Sequence, residues 1–133
     1  MRSKSRECAF KIIYAEMFAE ADQEGLRRGV YKTAGLNEEE REYAEALVNN
    51  VNEHKEELCE VLDRFSIGFS EKRMFPIDKS LLLMALAEMR YMEGVPPVVS
   101  IDESVGLARK YSTEKSAGFV NGVLAAYLTE EGK

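Results

Sequence analysis

The cations of the N-terminal stretch MRSKSRECAFKIIY are the residues whose chemistry stands out first, because the whole chain has a net charge of -6. On a helix, Lys4 and Lys11 share one side and Tyr14 nearly continues their stripe, whereas Arg2 and Arg6 lie on another side. Lysines pair with phosphate, and a tyrosine beside them can stack on an unpaired base. The stripe is compatible with nucleic-acid binding, but taken alone it is explained better by solubilising residues on a frayed terminus.

Other kinds of chemistry find little support in the chain. It contains no G-x-G-x-x-G, no Walker loop and no G-x-S-x-G motif, which argues against a nucleotide site or a serine nucleophile. His54 is the single histidine, and Cys8 and Cys59 are far apart, so no zinc-type cluster is indicated. The acidic run 38–40 is typical of a solvated, helix-capping surface. We therefore expect a binding protein that is not an enzyme and needs no cofactor or metal.

Length and composition indicate one globular domain spanning residues 1–133. The chain is 45% hydrophobic and 32% charged, which is typical of a folded protein with a real core. No run approaches the ~18 apolar residues that a membrane span requires. The N-terminal stretch is interrupted by Lys11 and Glu16, so it lacks the uniform apolar core of a signal peptide. These features predict a cytoplasmic protein without membrane contact.

The dominant hydrophobic period is helical, and no alternating strand pattern is visible. A first helix over about residues 3–21 is apolar on two sides, which predicts a central position in the fold. Gly25 and Gly29 indicate an irregular link after it. Asn37 and Glu40 then have the spacing of a capping box at the start of the next helix.

The second half of the chain continues the helical pattern. PIDKSLLLMALAEMRYM is the most apolar segment, and Pro76 suits its first turn. Ser100 and Glu103 form a second predicted capping box. Gly122 interrupts the last helix, and we expect close packing of a neighbouring helix to compensate for it. Short links between segments predict an all-α, compact bundle of about six or seven helices.

Two segments of the chain resemble the NusB family of transcription antitermination factors. SRECAFKIIYAEMF is similar to the family's opening, and VPPVVSIDESVGLARKYSTEKSAGFVNGVLAAYL is similar to its C-terminal signature. The helix DKSLLLMALAEM before V-P also matches. The order, spacing and length fit over nearly the whole chain, and the similarity is weakest over residues 22–36.

The resemblance implies an all-helical fold of two small packed sub-bundles. It also implies binding of boxA-type single-stranded leader RNA together with NusE, a small-subunit ribosomal protein, so that RNA polymerase reads through terminators in ribosomal RNA operons. Residues matching the family's RNA-contact regions are Arg2, Lys4, Arg6, Lys11, Tyr14, Ser116 and Phe119. The start of the helix at Asp78 and Lys79 is the expected contact region for NusE.

Several positions depart from the family pattern. Gly118 and Leu83 stand where lysine and arginine are common, and Ala87 replaces a frequent tyrosine. Lys115 replaces an acid, and Asp102 replaces an asparagine. These changes predict altered RNA affinity and leave open a diverged paralogue.

Two other functions compete with antitermination. One is a diverged, NusB-like protein-interaction module without an RNA ligand. The other is the related domain fused to ribosomal RNA cytosine methyltransferases, but that enzyme needs a cofactor-binding domain, for which this chain is too short.

Overall fold

The computed structural model describes residues 2–18, 23–66 and 70–131, and within them it contains helices and no strand. The α-helices are α1 (Arg2–Glu16), α2 (Gln23–Ala34), α3 (Glu38–Glu53), α4 (Lys55–Phe65), α5 (Pro76–Tyr91), α6 (Pro97–Tyr111) and α7 (Glu114–Glu131), with a short 3-10 helix at Glu71–Arg73. The predicted all-α fold of about six or seven helices is confirmed. None of the described helices has the length and apolar character needed to cross a membrane.

The helices pack as two small sub-bundles. Helix α1 packs against α2 and α3 in the first, whereas α4, α5, α6 and α7 pack together in the second. Helix α5 also contacts α1 and α3 and so joins the two halves. This position explains its sequence, because residues 81–87 are at most 1% exposed and a helix surrounded by neighbours is apolar on every side. Leu83 and Ala87 both belong to this core.

The central position predicted for the first helix is confirmed. Cys8, Phe10, Ile12 and Ile13 of α1 are all buried although they point in different directions around the helix. Helix α1 contacts α2, α3, α5 and α6. Helix α1 ends at Glu16, earlier than expected, and the remainder of the predicted helix at residues 19–21 lies outside the described residues.

The irregular link predicted at Gly25 and Gly29 is wrong, because both glycines lie within α2. Tertiary contacts stabilise this helix despite the cost of glycine. Arg27 Nε donates to Glu16 Oε2 of α1 at 2.8 Å, and its Nη1 lies 3.2 Å from Glu45 Oε2 of α3. The arginine thereby joins the three helices of the first sub-bundle.

One of the two predicted capping boxes is present. The Asn37 side chain accepts from the Glu40 backbone N–H at 2.8 Å, and the Glu40 carboxylate accepts from the Asn37 N–H at 3.0 Å. The box at Ser100 is wrong, because α6 already begins at Pro97. Proline suits a first helical position, which moves the helix start upstream. Ser100 is buried instead, and its hydroxyl donates to Glu88 Oε1 at 2.6 Å.

The close helix packing predicted at Gly122 is also wrong. Gly122 is exposed, and a Cβ placed there would meet no atom within 4 Å. Gly118, one turn earlier on α7, is equally open. Both glycines therefore lie on a solvent-facing side of the last helix.

Candidate nucleic-acid interface

Lys4, Lys11 and Tyr14 lie on an exposed side of α1, as the helical spacing predicted. Lys4 and Lys11 border a groove of about 700 Å³ between α1, α2 and the end of α6. Its floor includes Cys8, Leu26 and Val30. We call this feature the lysine groove. Its cationic border and apolar floor suit a polymer that carries phosphates and flat aromatic groups.

The far side of the lysine groove is formed by Lys110 and Tyr111 at the end of α6. Lys11 Nζ lies 5.6 Å and Lys110 Nζ 5.4 Å from the centroid of the Tyr111 ring, within the range of cation–π attraction. Lys110 Nζ also pairs with Glu7 Oε2 at 2.7 Å, and the Tyr111 hydroxyl donates to the same carboxylate. The cations of α1 and α6 therefore meet on one surface.

Glu7 is the single carboxylate bordering the lysine groove among the described residues. Burial raises the pKa of its carboxyl, but hydrogen bonds from Lys110 and Tyr111 and the charge of Lys11 outweigh burial, so the pKa is lowered. Glu7 consequently stays ionised and holds Lys110 and Tyr111 in place. It neutralises one of three lysine charges, which leaves the groove cationic.

Arg2 lies away from the lysine groove, in agreement with its predicted place on another side of the helix. Its guanidinium carbon is 4.4 Å from the centroid of the Tyr43 ring. The hollow that it borders also contains Glu39, Glu40 and Glu42 of α3. This acidic surrounding repels phosphate, so Arg2 is a poorer candidate for RNA contact than Lys4 or Lys11.

Arg6 was expected to contact RNA, but its side chain is buried. It is 4% exposed, and its Nε donates to both oxygens of Glu88 at 2.8 and 3.0 Å. Its Nη1 donates to Glu103 Oε1 at 2.7 Å. Burial alone lowers the pKa of the guanidinium, but the Glu88 carboxylate outweighs it and keeps the pKa raised. Arg6 holds helices together and is not accessible to phosphate, so we exclude it from the proposed RNA surface.

Ser116 and Phe119 lie at a second concavity, a cavity of about 310 Å³ between α7 and the segment that precedes α5. Ser116 is buried and hydrogen-bonds Ser112 Oγ at 2.8 Å and the carboxyl of Asp78. Phe119 is half-buried and packs against the core. We call this feature the Asp78 pocket. Its other lining residues are Arg73, Met74, Phe75, Thr113 and Lys115.

The two residues expected to contact NusE have different surroundings. Asp78 is 4% exposed and lines the Asp78 pocket. Lys79 is half-buried, and its Nζ pairs with Glu71 Oε2 at 2.5 Å. Neither offers a freely exposed charge. A partner would reach Asp78 only through the pocket, and Lys79 only by competing with Glu71.

Lys110, Tyr111 and Arg73 are the site residues that the sequence did not reveal. Lys110 lies about a hundred positions from the cations of α1, and it joins them only because α6 packs against α1. The available clue was the paired cations Arg109 and Lys110 in the last turn of a helix, where they also suit the helix dipole. That dipole interaction was sufficient to account for them without a ligand.

The architecture defines a class of small all-α proteins. In this class two packed sub-bundles share a central apolar helix, and the N-terminal helix is cationic. Within that class, the sequence model of the NusB family matches residues 3–129, and the chain belongs to the NusB family. The resemblance to the NusB family that the two sequence segments indicated is confirmed.

Individual relatives match over nearly their whole length. The transcription antitermination protein NusB of Methylacidiphilum infernorum is 34% identical over 133 residues, covering 99% of this chain and 93% of that protein. The protein of the same description in Acetivibrio thermocellus is 35% identical over 123 residues, covering 92% and 85%.

A solved structure also shows the similarity to NusB. A chain in the crystal structure of antitermination factors NusB and NusE in complex with dsRNA superposes with a TM-score of 0.88 at 27% identity, covering 97% of this chain and 96% of that chain. These matches favour a role in antitermination over the interaction module without RNA.

Proposed function

We propose that this protein is a transcription antitermination factor that binds boxA-type single-stranded leader RNA together with NusE and promotes read-through by RNA polymerase in ribosomal RNA operons. In this proposal residues 1–133 act as one RNA-binding domain. The protein acts in the cytoplasm, performs no catalysis and needs no cofactor.

The observation that carries the proposal is the pair Lys4 and Lys11 on one open side of α1. Both are exposed, and neither forms an ion pair with any residue in the described part of the chain. Their charges are therefore available to phosphate, and Tyr14, which is 37% exposed, offers a ring for base stacking. The family membership supports RNA as the ligand for this surface.

The net charge explains why a second protein would be needed. The chain has a net charge of -6, and an acidic body repels the phosphates of RNA that extends beyond the cationic surface. Affinity then depends on a few oriented contacts. NusE would extend the contact area, with Asp78 and Lys79 as candidate residues at its docking site on this chain.

The test is a binding assay with a boxA-type RNA, measured with and without NusE at several stated salt concentrations. We expect weak binding by this protein alone, and a tighter ternary complex when NusE is added. A scrambled RNA of equal length is the control for charge alone. Absence of an RNA-dependent ternary complex, under conditions where another family member forms one, would contradict the proposal and favour the interaction module.

A further inference from the structure

The lysine groove concentrates positive charge in a volume that suits one small molecule. Lys4, Lys11 and Lys110 border it, and Glu7 is the single carboxylate among its described lining residues, which gives the groove a net charge of +2. The amines of Lys11 and Lys110 lie 5.6 and 5.4 Å from the centroid of the same Tyr111 ring. The groove measures about 700 Å³, within the usual range for a small-molecule site. It therefore suits a compact ligand that carries several negative charges.

The part of the groove that α2 contributes is apolar. Leu26 and Val30 are half-buried there, and Gly29 beside them lacks a side chain; we call these three residues the α2 wall. A Cβ placed at Gly29 meets no atom within 4 Å, so the wall is open to a flat group. Among the described residues, no acid of α2 lines the groove. A ligand that fits the whole groove has a flat apolar part joined to a polyanionic part.

A free nucleotide with several phosphates combines these two parts better than one unit of an RNA strand does. An internal nucleotide of RNA brings one negative charge to the groove, whereas the terminal phosphate of a free nucleotide alone carries about two near neutral pH. The acidic body of the protein, with a net charge of -6, repels a long strand beyond the groove. It acts less on a ligand confined to the groove, because salt screens exposed charges more than about 10 Å apart.

From these features we infer that the lysine groove binds a free nucleoside polyphosphate, with its phosphates among the three lysines and its base against the α2 wall. Glu7 opposes the charge of this ligand and so limits its affinity. The site itself does not require RNA binding, but one consequence rests on the proposed function. Because Lys4 and Lys11 also serve the RNA, a bound nucleotide displaces RNA from α1. The concentration of free nucleotide then regulates how much of the protein is available to RNA.

The first test is calorimetric titration of the wild-type protein, without RNA, using ATP, inorganic triphosphate and adenosine as probes at stated salt. We expect ATP to bind at least about fivefold more tightly than inorganic triphosphate, because the base buries apolar surface against the α2 wall. Adenosine should bind most weakly, since it lacks the phosphates. Equal affinities for ATP and inorganic triphosphate would overturn the inference, because the lysines would then attract any polyanion.

Gly29→Leu tests the α2 wall and leaves the lysines in place. Leucine at this open helical position should fit and stabilise α2, because glycine is a poor helix former. Its side chain occupies the space that the base needs, so the affinity for ATP should fall to that for inorganic triphosphate, which should not change. Gly122→Leu, at an open glycine of α7 outside the groove, is the matched control. If Gly29→Leu binds ATP like the wild type, the inference fails.

Two charge changes in opposite directions locate the phosphates. Lys11→Ala should weaken the binding of ATP and of inorganic triphosphate about fivefold, the effect of one unit charge a few ångströms away in water. Lys55→Ala on α4 should change neither. Glu7→Gln should tighten both by a similar factor, and a damaged fold cannot produce tighter binding. Thermal unfolding followed by circular dichroism verifies each variant. Unchanged affinities in both Lys11→Ala and Glu7→Gln would overturn the assignment to this groove.

Displacement of a fluorescent boxA-type RNA by ATP, with NusE present, separates the inference from the proposed function. ATP should release RNA from the wild-type protein at concentrations near its own dissociation constant. Binding of RNA without any binding of ATP overturns the inference and leaves the proposed function intact. Binding of ATP in the groove without binding of any RNA supports the inference and removes the proposed function. Binding of both without displacement supports the nucleotide site and shows that RNA does not use Lys4 and Lys11.

Discussion

Arg6 and Glu88 form a buried ion pair that joins the first helix to the central helix α5. Their side chains are 5% and 1% exposed, and the closer contact between Arg6 Nε and Glu88 Oε2 is 2.8 Å. Glu88 also accepts hydrogen bonds from Tyr43 of α3 and Ser100 of α6. One carboxylate thus has donors from three other helices, and it links the two sub-bundles.

Breaking this pair from one side should destabilise the protein strongly. Arg6→Met leaves the buried Glu88 charge without its cation, and we expect a loss of about 3–5 kcal/mol in the free energy of unfolding, measured by urea denaturation. Replacing both partners, as Arg6→Met with Glu88→Leu, should restore part of that loss because no buried charge remains. If Arg6→Met were as stable as the wild type but bound RNA poorly, the structural assignment of Arg6 would fail.

Because the RNA surface on α1 is cationic, the affinity for RNA should depend on the salt concentration. Lys4→Ala and Lys11→Ala each remove a phosphate contact, so each should weaken binding and lower the slope of log affinity against log salt by about 0.7. The measurement is an RNA titration with NusE at four or more salt concentrations. Lys55→Ala, an exposed cation at the start of α4, is the matched control.

Binding of NusE without RNA provides the second control for those variants. It should be unchanged in Lys4→Ala and Lys11→Ala, because these lysines lie on exposed parts of α1 and no buried contact is lost. Equal loss of RNA and NusE binding would point to misfolding. An unchanged salt slope in both variants would show that phosphate does not contact this side of α1.

The sequence was informative where structure depends on neighbours along the chain. The apolar sides of α1 predicted its burial, and the Asn37–Glu40 spacing predicted a capping box that depends on three residues of local geometry. The same reasoning from local spacing gave a wrong prediction at Ser100, because α6 already begins at Pro97. The Ser100 hydroxyl instead donates to the buried Glu88 of α5.

Features that depend on packing between distant segments could not be predicted in this way. Arg6 is a cation in the same stretch of sequence as Lys4, yet Arg6 is buried because it pairs with Glu88, 82 positions away. Lys110 reaches the lysine groove only because α6 packs on α1. Charge counts along a chain show that cations are concentrated, but only the fold shows which of them are accessible.

The Tyr43 phenol should make stability fall at alkaline pH. Burial, together with the hydrogen bond to Glu88, raises the pKa of Tyr43 from 10.0 to about 12. Because the folded protein favours the neutral phenol, its contribution is fully present below pH 10 and is lost as the pH rises through about 12. The urea midpoint should therefore fall more steeply between pH 10 and 12 in the wild type than in Tyr43→Phe. Tyr14→Phe, at an exposed tyrosine, should leave the wild-type fall unchanged.

Gly118 offers a gain of function that separates charge from helix stability. The position is exposed within α7 next to Phe119, and a Cβ there meets no atom within 4 Å. Gly118→Lys should therefore fit without strain and raise the free energy of unfolding by up to about 1 kcal/mol, since glycine is a poor helix former. Its added cation at the start of α7 should also strengthen RNA binding and steepen the salt slope by about 0.7.

Gly118→Ala is the control, because it stabilises the helix equally and adds no charge. If the alanine and lysine variants bound RNA equally well, any gain would come from the helix alone, and the start of α7 would not contact phosphate.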